Sequence, residues 1–66
     1  MTWDELKEKA KEMGYKESDF LGNALIKEIE YEMSFYKTGR IEINDDYVIV
    51  RNRTPEQMLM IMRGLE

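Results

Sequence analysis

Tyr36-Lys37-Thr38-Gly39-Arg40 is the stretch on which the reading of this 66-residue chain turns. Lys37 and Thr38 suit the centre of a type I turn, and Gly39 can take the left-handed bulge position that closes a three-residue hairpin loop. Such a loop fixes register: Tyr36 opposes Arg40, Phe35 opposes Ile41 and Met33 opposes Ile43, so both strands turn their apolar residues to one face. Upstream, Ile29, Tyr31, Met33 and Phe35 alternate with Glu28, Glu30, Glu32 and Ser34, the period of a half-buried strand. Downstream, Asn44, Asp45 and Asp46 form a turn cluster that leads into Tyr47, Val48, Ile49 and Val50, a run rich in β-branched residues. The expectation is a three-stranded antiparallel β-meander.

The competing arrangement is α-α-β-β-α, with one long central helix over residues 19–36. It would place Leu21 and Leu25 on a stripe with Glu28 and Glu32, burying two carboxylates without partners, and is disfavoured for that reason. Residues 18–27 admit two assignments: Ser18 can cap a short helix, or Gly22-Asn23 can form a tight hairpin turn. The short helix is the preferred expectation.

Both ends of the chain carry helix signals. Thr2 with Glu5 three residues later makes a capping box, Trp3, Leu6, Ala10 and Met13 share a stripe, and Gly14 supplies a left-handed stop. Thr54, Pro55 and Gln57 open the last helix in the same way, with Met58, Ile61, Met62 and Leu65 on its stripe. Met60 points away from that stripe and is a candidate for surface contact. Residues 1–66 therefore read as one small α+β domain: an N-terminal helix, a short helix or loop, the meander and a C-terminal helix.

Fourteen acidic and ten basic side chains give a net charge of −4, which opposes direct nucleic-acid binding at long range. The chain has no cysteine and no histidine, so the imidazole base and thiolate of most nucleophilic mechanisms are missing. Thr54 is better explained as a cap, and Ser34 as a strand-face residue. Glu28, Glu30 and Glu32 would project from one strand face about 7 Å apart, but a two-carboxylate mechanism also needs walls that raise one acid's pKa. Asn44-Asp45-Asp46 lacks the spacing of a calcium loop, and Met58, Met60 and Met62 diverge around a helix. The expectation is a non-enzymatic chain with no catalytic residues, no metal and no cofactor. The start Met1-Thr2-Trp3-Asp4-Glu5 does not resemble a secretory signal and no apolar run approaches a membrane span, which reads as cytoplasmic with no membrane partner.

What remains is a surface. If Met33, Phe35, Ile41 and Ile43 face the helices, the other sheet face carries Glu28, Glu30, Glu32, Tyr36, Arg40 and Glu42, with either Tyr47 and Ile49 or Val48 and Val50 beside them. Apolar groups rimmed by charge suit a protein partner or a second copy of the chain. A protein-binding or regulatory module using Glu28, Glu30, Glu32, Tyr36, Glu42, Tyr47 and Ile49 is the first expectation, a homodimer being one form of it. The alternative is an acidic inhibitor whose glutamates imitate a phosphate backbone and block a nucleic-acid-binding protein. Short acidic proteins of phages and mobile elements, anti-CRISPR inhibitors among them, are similar in size and charge, with no shared motif.

Overall fold

Thr2 begins the structure as its sequence spacing predicts. The Glu5 backbone N–H donates to the Thr2 hydroxyl at 3.2 Å, and the Thr2 N–H donates back to the Glu5 carboxylate at 3.2 Å, so the box closes on helix α1 (Trp3–Glu12). Gly14, with φ +93°, ends it. In the computed structural model, which describes residues 1–19, 23–44 and 48–64, five strands follow: β1 (Lys16–Ser18), β2 (Ala24–Glu28), β3 (Glu32–Tyr36), β4 (Ile41–Ile43) and β5 (Val48–Val50). Helix α2 (Pro55–Gly64) closes the chain, and its box is also made: Gln57 N–H to the Thr54 hydroxyl at 3.2 Å, Thr54 N–H to the Gln57 side-chain oxygen at 2.8 Å. Leu65 lies outside the described residues.

The class is α+β, with one antiparallel sheet in the order β1-β2-β3-β4-β5. Five strands replace the expected three. Residues 24–28 are strand, which removes both the short helix and the long central helix as descriptions of this region. Asn23, at φ +72°, takes a left-handed conformation that asparagine tolerates just before β2; Gly22 lies outside the described residues. The single strand expected over residues 28–36 is instead broken at Ile29-Glu30-Tyr31, where Glu28 pairs with Glu32 across a hairpin. The alternation of apolar and acidic residues runs through this turn unchanged, so it could not mark the break. Ile29, assigned by that alternation to the buried face, is 59% exposed.

The hairpin at residues 36–40 forms as its turn chemistry dictates. Gly39 has φ +98°, its N–H donates to the Tyr36 carbonyl at 3.0 Å, and the Tyr36 N–H donates to the Arg40 carbonyl at 2.8 Å. Phe35 opposes Ile41 and Met33 opposes Ile43. One sheet face therefore presents Leu25, Met33, Phe35 and Ile41, all buried against Trp3, Leu6 and Ala10 of α1 and Met58, Leu59 and Met62 of α2. Burial of such side chains is worth roughly 1.5–3 kcal/mol each and is the main term holding a chain of this size together. Tyr15 joins this core edge-on to Phe35, ring centroids 5.6 Å apart. Lys27, opposite Met33 on the same face, holds its ammonium over the Tyr15 ring, 5.4 Å from the centroid, and donates from it to the Met13 carbonyl at the end of α1 at 2.7 Å. A cation there meets both the unpaired carbonyls and the negative end of the helix dipole.

Candidate interaction surface

With both helices on one side, the cross-strand register defines what the other side carries. Side chains directly opposite in an antiparallel pair share a face and lie about 4.5–5.5 Å apart. One row crosses all five strands as Lys16, Ile26, Ser34, Glu42 and Ile49. A second row is Glu28 with Glu32, and a third runs Ser18, Ala24, Tyr36. Within the first row Ile49 is 40% exposed, Ile26 is half-buried and Ser34 is buried.

The sequence-predicted site residues divide between separate places. Glu28, Glu30 and Glu32 are all exposed and gather at the β2–β3 hairpin: two opposite one another, the third in the loop beside exposed Ile29. Like charges directly opposite oppose pairing, and Glu28 and Glu32 stand in that relation. Glu42 stands two strands from β2, with its carboxylate 2.7 Å from Nε of Arg40. Tyr36 is only 9% exposed and is not part of an open face. The three-strand expectation set it on an edge strand, whereas β1 and β2 make β3 the central strand, with Ala24 of β2 opposite Tyr36. Ile49 lies on the helix-free face, and Val48 and Val50 take the core side opposite Ile43 and Ile41, which decides the parity of β5. Tyr47, Asp45 and Asp46 lie outside the described residues.

An open groove of about 500 Å³ runs beside the β2–β3 hairpin, where Lys16, Lys27, Glu17, Glu28 and Glu32 line it around Ile26. Its charges are mixed. Among the described residues no group of three or more aspartates and glutamates is placed to hold a metal ion, and no helix is long and apolar enough to cross a membrane. On α2, Met60 is 72% exposed beside Arg53, Gln57 and Ile61, as its position off the helix stripe predicts.

Two features escaped the sequence. Lys27 sat in a stretch without a clear period, and nothing in its neighbours announced a contact with α1. Edge strand β1 is entirely polar, so no apolar alternation marked it; its Glu17 reaches Lys7 at 3.4 Å and Lys11 at 3.6 Å on α1. Compared with protein-family models, with curated proteins and with solved structures, the chain finds no match in any of the three.

Proposed function

We propose that this chain is a non-enzymatic binding module that recognises a protein partner through the helix-free face of its sheet and the acidic β2–β3 hairpin. The observation that carries this is the placement of accessible Ile29 in the same hairpin as exposed Glu28, Glu30 and Glu32, with a second accessible apolar group, Ile49, farther along the helix-free face. Apolar surface interleaved with charge is the composition of a recognition patch, and the repulsion between Glu28 and Glu32 is a cost that a basic partner would relieve. A photo-crosslinker at position 29, used in the native host, should trap one partner reproducibly. The triple substitution Glu28→Lys, Glu30→Lys, Glu32→Lys should then weaken binding of that purified partner at least about tenfold, or ~1.4 kcal/mol. An unchanged affinity would sink this assignment of the surface.

Nucleic-acid mimicry is the second reading, supported by three exposed carboxylates within one hairpin. It requires that the partner be a nucleic-acid-binding protein and that DNA or RNA compete with the chain for it. Glu42 adds little to such a charge row, because Arg40 already offsets it.

A further inference from the structure

The alternation of ladder hydrogen bonds shows which backbone groups the sheet leaves unpaired at its two edges. Tyr36 N–H donates to Arg40 O and Asn44 N–H donates to Glu32 O at 2.7 Å, so Arg40, Glu42 and Asn44 turn their peptide groups toward β3. Ile41 and Ile43 must then turn theirs toward β5, where they meet Val50 and Val48. Ile49 is left with its N–H and C=O directed out of the sheet. The same alternation at the other end, from Lys37 N–H to Asn23 O and Ile29 N–H to Tyr31 O, leaves Glu17 as the outward residue of β1.

Exposed strand edges are templates for pairing, and charged side chains are the usual protection. β1 has that protection in Lys16 and Glu17. β5 has none: it is Val-Ile-Val, with Val48 42% and Ile49 40% exposed.

We infer that β5 pairs antiparallel with β5 of a second copy of this chain, about a two-fold axis at Ile49, and so names one partner of the proposed binding module, on whose general reading it rests. The choice of a second copy comes from self-complementarity. In this register Ile49 meets Ile49 of the other chain on the helix-free face and exchanges two backbone hydrogen bonds with it. Val48 of each chain meets Val50 of the other on the core side, pairing β-branched residues across the seam. Charge selects the antiparallel sense. Asp45 and Asp46 precede the strand in the sequence, and Arg51 and Arg53 follow it. Antiparallel pairing brings the arginine end of each copy toward the acidic end of the other, while parallel pairing would set like against like. This is an order of charges along the sequence alone, since residues 45–47 lie outside those described. Asn52, at φ +59°, bends the chain away after Arg51, so the seam is short. Its area falls below the ~1,200 Å² of a standard interface, and the dimer is therefore a weak one that forms at high protein concentration.

Sedimentation of the full chain over a wide concentration series should show its mass rising from monomer toward dimer. Val48→Lys, which leaves the helix-free face untouched, and Ile49→Pro, which removes the outward N–H while keeping the β4 ladder, should each raise the dissociation constant at least about tenfold. Circular dichroism of each variant should be unchanged. In the unaltered protein, amide exchange at Ile49 should slow as concentration rises, with no change at Glu17. A monomer at every concentration overturns the proposal, as does a dimer insensitive to both substitutions, or slowing at Glu17 rather than Ile49. The lysine-substituted β2–β3 hairpin should leave this dimer intact, so loss of the dimer and loss of the hairpin-dependent partner are separate outcomes.

Discussion

β1 and β5 are both three-residue edge strands, each with a single residue whose peptide groups face away from the sheet, yet one presents Lys16-Glu17-Ser18 and the other Val48-Ile49-Val50. Backbone geometry does not separate them; side-chain chemistry does. At β1 the outward residue is an acid that also reaches two lysines of α1, so the same side chain guards the edge and anchors it. At β5 nothing among the described side chains opposes an incoming strand. An edge left apolar in a chain with 24 charged side chains out of 66 is an informative exception, because sheet edges are where charge does most to prevent pairing.

The comparison can be broken most forcefully at Gly39. Its O accepts from Arg53 N–H at 2.9 Å, and an added Cβ would stand 3.1 Å from Arg53 O and 3.2 Å from Arg53 N. Gly39→Ala therefore combines a left-handed backbone with a clash against the segment that leaves β5. A loss of about 1–3 kcal/mol is expected from backbone strain alone, read as a lowered urea midpoint. Exchange should quicken at β4 and β5 before β1.

Lys27→Met tests the opposite side. It keeps the apolar stem and removes the ammonium from the Met13 carbonyl and from above Tyr15. A loss of about 1–2 kcal/mol is expected, with α1 and β1 loosened and β5 unaffected in the same exchange measurement.

Glu17→Val sharpens the contrast by giving β1 the chemistry of β5. Stability should change by less than about 1 kcal/mol, since the Lys7 and Lys11 pairs are exposed. Light scattering should nevertheless show species larger than a dimer, because a chain with two adhesive edges can extend in both directions.

The smallest effect concerns pH. The pKa of Lys7 is raised, chiefly by its contact with Asp4 and further by Glu17. A raised lysine contributes stability that is present below its unfolded pKa and is lost as pH rises through its folded value. A slight loosening of β1 against α1 is thus expected only under alkaline conditions, measured by exchange or thermal melting above the ordinary lysine range, and it should be absent in Lys7→Met.

How much of this was legible in the sequence varied with the kind of signal. The caps at Thr2 and Thr54 and the Lys37-Thr38-Gly39 loop depend on local chemistry, and each appears as its residues dictate. The β2–β3 turn depends on nothing of the sort: Ile29-Glu30-Tyr31 contains no glycine, proline or asparagine, and a period of two continues through it. β1 fails for another reason, since three polar residues at an edge bury nothing and leave no pattern. Those two omissions together displaced the candidate site. Without β1 and β2, β3 looked like an edge and Tyr36 looked open; with them β3 is central, and Tyr36 is buried. Glu28, Glu30 and Glu32 are exposed as expected, but as a hairpin tip rather than a row along a strand, while Glu42 is half-buried against Arg40.

The strict consecutive order of the strands has a kinetic consequence. Every strand pairs only with its neighbours in the chain, so each sheet contact closes a short loop at small entropic cost. The packing of α1 on α2 is different, because it must bring the two ends of the chain together. Low contact order of this kind is associated with fast folding. The expected sequence is hairpins first and helix docking last, with the two capped helices acting as a clasp that locks a sheet already assembled.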